Sequence, residues 1–358
     1  MSNLDGDARN LLTEAQEGIE LVSRPFEVLA KKVNLEETEA IEIFTQLKGD
    51  IIRRFGGVFR SGRLGFKSTL LAASVNEERL RAVAEEINRL PGVTHNYRRS
   101  HDYNLWFTLT VGPETSLIEE IEQLEEVLEI EILNLPALKR YKLGVKLNLK
   151  AEQDQKSINK GIERVSRISD RASGRVSGDN DSAPDEGLIK QNVYRPDSLD
   201  KKIIALIQKD MDLVKKPFKL IADKCGCKED EILDRLKKMK KAGALKRIAP
   251  LLYHRRSGYQ ANGMVVWTVD KEEIDEAGYK LAAFEQVSHC YHRPAYPPDW
   301  PYNLYAMTHA KSDKELEAIA EEMAEKIGNK AYQIIYSLEE FKKASMKYYS
   351  FNGSGKDV

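Results

Sequence analysis

Two stretches of this chain crowd histidine, tyrosine and arginine into a few positions: residues 93–108, VTHNYRRSHDYNLWFT, and residues 287–308, VSHCYHRPAYPPDWPYNLYAMT. Side chains alternate faces along an extended strand. His95, Tyr97 and Arg99 would therefore share one face, and His289, Tyr291 and Arg293 another. Imidazoles and phenols can hold or deliver a proton, and the planar guanidinium grips carboxylate or phosphate with two parallel bonds. Both stretches are preceded by further cations: Arg53, Arg54, Arg60 and Arg63 before the first, Lys246, Arg247, His254, Arg255 and Arg256 before the second. The glycines among them, GGVFRSGRLG, fit neither GxGxxG nor GxxxxGK[ST], so a polycarboxylate suits these residues better than a nucleotide. Aromatics accompany the cations: Tyr97, Tyr103, Trp106 and Phe107, then Tyr291, Tyr296, Trp300, Tyr302 and Tyr305. Taken singly, strand aromatics usually pack and a histidine is as readily a structural hydrogen-bonder. Mixed twice over with arginine and histidine, they suggest a large flat ligand with several acid groups, such as a porphyrinoid.

The elements that must hold these residues also come in two copies. Residues 11–21, a run from Pro25 (PFEVLAKKV) and residues 36–48 carry apolar positions at helical spacing. Residues 199–207, PFKLIADKC from Pro217, and residues 229–241 repeat the plan, with Gly243 as the expected stop. Pro25 and Pro217 stand 192 positions apart, His95 and His289 194. After each helical trio the pattern reads strand, helix, two strands, helix, strand. The resulting fold class is α+β: two tandem helix-turn-helix units of the winged-helix kind, each followed by a ferredoxin-like βαββαβ domain. The expected boundaries are a tail at 1–10, helical unit 11–55, ferredoxin-like domain 56–149, linker 150–197, helical unit 198–248, ferredoxin-like domain 249–350 and a tail at 351–358. The linker is expected from its Ser, Asp, Asn, Gly, Lys and Arg content, which cannot bury a core. Each ferredoxin-like half would leave one sheet face apolar, so the halves are expected to cover each other as an intrachain pseudo-dimer.

The totals narrow the partners. The chain has 358 residues, 41% of them hydrophobic, with a net charge of −1, so no global field recommends nucleic acid or an anionic membrane. No apolar run approaches the roughly 20 residues that span a bilayer, and residues 1–10 have no apolar leader core, which gives the expectation of a cytoplasmic protein. Cys225, Cys227 and Cys290 are the only cysteines, too few and too irregular for a disulfide framework or a metal quartet. They are expected to be ordinary thiols.

The helix-turn-helix plus βαββαβ order resembles the Lrp/AsnC family of regulators, which bind DNA through the first part and sense amino acids with the second. A recognition helix has to present Lys, Arg and polar groups to the duplex. The first candidate carries Glu36, Glu37, Glu39 and Glu42, and the second opens with Glu229, Asp230 and Glu231; Lys237, Lys238, Lys240 and Lys241 read as a solvated face. No DNA binding is expected, and a heme- or amino-acid-responsive regulator is the alternative function.

The residues themselves closely resemble siroheme decarboxylases and the related proteins of heme d biosynthesis. The resemblance rests on RRFGGVFRSGRLGF, on His95-Asn-Tyr97-x-Arg99-x-His101-x-Tyr103-Asn104-Leu-Trp106-Phe, and on Cys290-Tyr291-x-Arg293-Pro with WPYNLYAMTH. The first half looks like an A-type subunit and the second like a B-type subunit. Where that family often has glycine after the histidine of its Met-x-His motif, this chain has Ala310. The resemblance implies an enzyme, a carboxy-lyase that removes the acetate carboxyl groups at C12 and C18 of siroheme to give 12,18-didecarboxysiroheme, in either alternative heme or heme d synthesis. It implies no separate cofactor, the iron tetrapyrrole being the substrate and heme a further molecule the site could hold. His95, Tyr97, His101, His289 and Tyr291 are then the candidate proton donors or orienters. Arg53, Arg54, Arg60, Arg63, Arg99, Arg255, Arg256 and Arg293 would clamp acid groups, with Tyr103, Asn104, Trp106, Tyr302 and Asn303 completing the substrate contacts. His101, His289 and His309 are candidate axial ligands to the substrate's iron by type. One working site with the other half as its wall is the favoured arrangement, with Pro294–Pro301 as its lid, and a further homodimer stays open.

Overall fold

The computed structural model describes residues 6–143, 193–253 and 261–349. Arg255 and Arg256, with His254, lie outside the described residues, as does the expected linker through residue 192. Helices α1 (Gly6–Gln16), α2 (Pro25–Lys32) and α3 (Glu37–Leu47) form the first helical unit; α6 (Ser198–Ile207), α7 (Pro217–Cys225) and α8 (Glu229–Lys241) form the second. α1 starts inside the stretch expected to be a tail, because Ala8, Leu11, Leu12 and Ala15 make one buried stripe. Pro25 and Pro217 occupy the first helical turn, where a missing N–H costs nothing. α8 ends as expected at Gly243, whose φ of +75° few other residues adopt.

The two helical units share one core. Phe26, Phe44 and Phe55 meet at centroid distances of 5.3 to 6.0 Å, and Phe218, Ile232, Leu236 and Met239 of the second unit join the same cluster. Strands β1 (Ile52–Phe59) and β7 (Leu245–Leu252), one from each unit, pair antiparallel with Gly56 opposite Ala249. The units are thereby fused back to back. Glu229, at the start of α8, accepts a hydrogen bond from Ser23 of the other unit at 2.9 Å.

The remaining strands build a single nine-stranded antiparallel sheet. The first half supplies β2 (Lys67–Ala73), α4 (Glu77–Arg89), β3 (Val93–Arg99), β4 (Leu105–Val111), α5 (Leu117–Leu128), β5 (Ile132–Leu135) and β6 (Lys139–Leu143). The second supplies β8 (Ala261–Trp267), α9 (Ile274–Ala282), β9 (Val287–His292), β10 (Leu304–Ala310), α10 (Asp313–Ile327) and β11 (Tyr332–Lys343). Two βαββαβ units are therefore present, and each keeps its own core under its helices. The strand order is β5-β2-β4-β3-β11-β8-β10-β9-β6.

That order contains an exchange that strand propensity does not reveal. β11 pairs through Tyr332–Tyr336 with β8 of its own half and through Ser337–Lys343 with β3 of the other. β6 of the first half repays this by pairing with β9 of the second. In the first half the same path is broken into β5 and β6 at Pro136, which has no N–H for a ladder. The uncovered sheet faces meet, as expected of a pseudo-dimer, in a cluster of Ala72, Trp106 and Leu135 with Met264, Val266, Trp300, Tyr305 and Ile335.

Candidate functional site

On β9, the expected face is assembled. His289 stacks beside Tyr291 at 6.2 Å, and the Arg293 guanidinium lies over Tyr291 at 4.6 Å and Tyr305 at 5.7 Å. Arg293 is 8% exposed and donates to the carbonyl of Leu135, in the first half. No acidic side chain among the described residues forms an ion pair with it. Across the exchanged strand pair, Tyr291 faces Arg140 of β6. Burial raises the Tyr291 phenol and lowers the Arg293 guanidinium, so both charged forms are disfavoured by their surroundings.

β3 carries the pseudo-equivalent face. His95 stacks beside Tyr97 at 6.3 Å, and Arg99 lies over Tyr97 at 5.6 Å. Arg99 is buried, reaches the carbonyl of Ile335 at 3.4 Å in the other half, and leaves its Nε without a partner. Burial lowers its guanidinium to about 10. Here, however, the position across from the tyrosine is Glu340 of β11, which accepts from the Tyr97 hydroxyl at 3.2 Å. Burial, and then Glu340, raises the Tyr97 phenol, while burial and Lys343 lower the His95 imidazole. The two faces thus differ in charge at one matched position, acidic on β3 and basic on β9.

The histidines differ in their support as well. His95 Nδ1 meets the Thr94 hydroxyl at 3.0 Å, which meets Thr108 at 2.9 Å. His289 Nδ1 meets the Ser288 hydroxyl at 2.8 Å, Ser288 meets His309 Nε2 at 2.7 Å, and His309 Nδ1 contacts Asn262 Oδ1. Both ring nitrogens of His309 are therefore engaged by protein. His101 sits in the β3–β4 turn, its Nδ1 accepting from the Tyr103 amide at 3.0 Å, its ring edge-on to Trp300 at 5.1 Å. Burial lowers its imidazole.

Trp300 comes from the Pro294–Pro301 connection and is fully buried between the halves, 5.2 Å from Trp106 and 5.0 Å from Tyr302. The connection expected to act as a lid is thus anchored between the halves by a buried indole. Trp106 donates to the Tyr103 carbonyl at 2.6 Å, and Tyr302 to Gln333 at 2.6 Å.

Asn104 and Asn303, expected among the substrate contacts, have a different job. Asn104 clamps both backbone groups of Val75, at 3.0 and 2.8 Å, and Asn303 clamps those of Val269, at 2.9 and 2.7 Å. Their amides are committed to the backbone, which explains why Tyr-Asn-Leu recurs. The arginines of β1 also lie elsewhere: Arg53 is exposed beside Ser345, and Arg54 donates to the Gln208 carbonyl. Arg60 and Arg63 approach Gly243 at the end of α8.

Several residues at the faces had no motif to announce them. Arg140, Glu340 and Lys343 arrive through the strand exchange, and Ser288, Asn262, Thr94 and Thr108 are short polar residues on unremarkable strands. Cys290 points the other way, donating to the Gly278 carbonyl at 3.6 Å, and burial pushes its thiol up. No cluster of three or more metal-ligating side chains occurs among the described residues. No described helix is long and apolar enough to cross a membrane.

The fold and its two faces define a fused pair of helix-turn-helix and AsnC-like ligand-binding domains. The family model for the AsnC-like ligand binding domain matches residues 63–142 and 256–342, and that for the siroheme decarboxylase NirDL-like HTH domain matches 8–53 and 200–245. Siroheme decarboxylase of Hydrogenobacter thermophilus is 34% identical over 343 residues, 95% of this chain and 94% of that enzyme. The siroheme decarboxylase beta subunit of Methanosarcina barkeri is 40% identical over 151 residues, 42% of this chain and 99% of that subunit. The crystal structure of the siroheme decarboxylase NirDL superposes with a TM-score of 0.75 at 30% identity, covering 96% of this chain and 95% of that one. A second structure of that enzyme, in co-complex with an iron-uroporphyrin III analogue, superposes equally well. The chain belongs to the siroheme decarboxylase family.

Proposed function

We propose that this chain decarboxylates the C12 and C18 acetate groups of siroheme at one working site on the β9 face, with the first half as its wall. The observation that carries this reading is Arg293: a guanidinium 8% exposed, packed on Tyr291 and Tyr305, with no carboxylate partner among the described residues. A buried cation is costly unless paired, and a substrate carboxylate is the counter-charge this one lacks. The choice of face follows from the residue across the strand: Arg140 beside Tyr291 adds attraction, whereas Glu340 on Tyr97 would repel a polyanion.

The chemistry needs little else. Breaking the bond between the methylene and its carboxylate releases carbon dioxide and leaves the electron pair on the methylene, where the conjugated macrocycle delocalises it. One proton delivered to that carbon completes a methyl group. Arg293, Arg140 and, from the wall, Arg99 hold the carboxylates that do not react. His289 or Tyr291 supplies the proton, and the Trp300 plug keeps water from the reacting carboxylate. No further organic cofactor has a task in this sequence of steps.

Anaerobic incubation with siroheme, followed by mass spectrometry, tests the reading. Successive loss of two molecules of carbon dioxide is expected. His289→Ala is expected to lower turnover by roughly 10²–10⁴-fold, the range typical of a general acid. Unchanged substrate after many equivalents of time, or full turnover by a variant lacking both His289 and Tyr291, would remove this assignment.

A further inference from the structure

Among the described residues, the hydrogen-bond chain behind His289 has no counterpart of the same length behind His95. We propose that Asn262, His309 and Ser288 form a relay that fixes the tautomer and ring orientation of His289, making His309 a positioning residue rather than a ligand to the substrate's iron. The inference rests on His289 belonging to the working site.

Asn262 presents its carbonyl oxygen to His309 Nδ1, so that nitrogen carries the hydrogen. A neutral His309 then has only a lone pair on Nε2, which must receive a hydrogen bond. Ser288 stands 2.7 Å from it and has one hydrogen to give; its other acceptor, the Met307 carbonyl, is farther at 3.3 Å. With its hydrogen directed to His309, the Ser288 oxygen can only accept from His289 Nδ1, 2.8 Å away. His289 therefore keeps its proton on Nδ1, and Nε2 is the nitrogen that exchanges the proton of the reaction. In the imidazolium, Nδ1–H still donates to Ser288. When Nε2–H passes its proton to the substrate methylene and carbon dioxide departs, the neutral ring left behind is already the tautomer the relay favours. No proton has to move along the chain.

Burial makes the relay rigid. Ser288 is fully buried, so it has no water with which to exchange these partners. The β3 face lacks the second imidazole. Matching Tyr97–Trp106 to Tyr291–Tyr305 places Thr110 where β10 has His309. The chain behind His95 runs instead from Thr94 to Thr108, two hydroxyls that can each give or accept. Its direction is not fixed, which fits a face that serves as a wall.

The six histidines of the chain make the tautomers readable. In protein labelled with ¹⁵N-histidine, two-bond proton–nitrogen spectra are expected to show His289, assigned through His289→Ala, in the Nδ1–H form. Ser288→Ala should shift it toward Nε2–H and lower kcat roughly 10–100-fold, the usual size for a lost orienting partner, with KM changed less than about twofold. Ser288→Thr should restore both, since threonine keeps the hydroxyl, as Thr94 keeps one beside His95 Nδ1. Asn262→Leu, which lets the relay reverse, gives a second variant outside the core and should lower kcat in the same direction. An Nε2–H tautomer in the wild type, or wild-type kcat in both Ser288→Ala and Asn262→Leu, would overturn the relay. So would a Soret band of bound siroheme that His309→Ala alters and Ser288→Ala does not, because that would make His309 a ligand. Wild-type turnover in His289→Ala would instead overturn the proton-donor role of His289 on which the relay depends, leaving the site to Tyr291.

Discussion

Replacing Arg293 by methionine should leave the apoprotein about as stable as before while weakening siroheme binding by more than an order of magnitude. Moving a charged group out of water costs several kcal/mol even after the protein relaxes. Against that cost the apoprotein sets the Tyr291 and Tyr305 rings, at 4.6 and 5.7 Å, and one hydrogen bond to Leu135. The rings contribute about 1–2 kcal/mol and the bond about 1.5–3 kcal/mol. The sum is of the same size as the penalty. An apolar side chain of similar length keeps the packing and removes both terms, so the melting temperature is expected to stay within about 4 °C of wild type. With substrate bound the balance changes, because the guanidinium then meets a carboxylate in a water-poor site. Losing one partner of a buried charge pair costs about 2–5 kcal/mol, which is roughly 30- to 4,000-fold in Kd. Differential scanning calorimetry of the apoprotein and an anaerobic Soret titration measure the two quantities. Arg99→Met is the companion, expected to weaken binding less than Arg293→Met because it belongs to the wall. A variant at Arg293 that melts far below wild type yet binds siroheme normally would show the residue to be a strut and not a carboxylate clamp. Equal losses at Arg99 and Arg293 would mean two working faces.

Burial holds the His95 and His292 imidazoles below their ordinary value of 6.5. The unfolded chain therefore takes up protons near pH 6.5 that the folded chain takes up only at lower pH, and stability should fall as pH drops below 6.5; urea midpoints at pH 5.5 and 7.5 check it, and a midpoint independent of pH would contradict the assignment. Trp300→Ala removes a fully buried indole between the halves and should cost about 3–5 kcal/mol, read as a lower urea midpoint together with faster exchange of the Trp106 indole hydrogen. Mobility shift at physiological salt should show no sequence-specific DNA complex, since Glu229 at the start of α8 is bonded to Ser23 of the other helical unit; a tight complex would restore the regulator reading.

The parts of this architecture legible in the sequence are those written in local patterns. Pro25 and Pro217, the helical stripes and Gly243 announced two helical units, and the doubled His-x-Tyr-x-Arg alternation announced two strand faces. The Tyr-Asn-Leu repeat suggests substrate contact at Asn104 and Asn303, yet each amide closes on the backbone of the segment that follows β2 or β8, at Val75 or Val269. What stayed hidden is non-local. Nothing in KRYKL marks β6 as a strand that leaves its own half, and nothing in the run after Tyr336 says that β11 continues onto β3. Such pairing is set by the docking of two preformed sheets, which no window of adjacent residues contains. The polar support of His289 is hidden for the same reason, because Asn262, Ser288 and His309 are brought together only by the β8-β10-β9 ladder.

That exchange is also what makes fusion chemically useful. In a homodimer of identical halves, twofold symmetry would place the same side chain across from both tyrosines. A glutamate there would repel the substrate's carboxylates on both faces, and an arginine would build two equal cationic faces against each other. One covalent chain escapes the constraint: β11 brings Glu340 to Tyr97 while β6 brings Arg140 to Tyr291. The same divergence gives β10 a His309 where β4 has Thr110, so one histidine acquires a directed relay and the other a reversible one. The exchanged strands, which come from the opposite half in each case, therefore decide the electrostatics of a face that the repeated motif had made look equivalent.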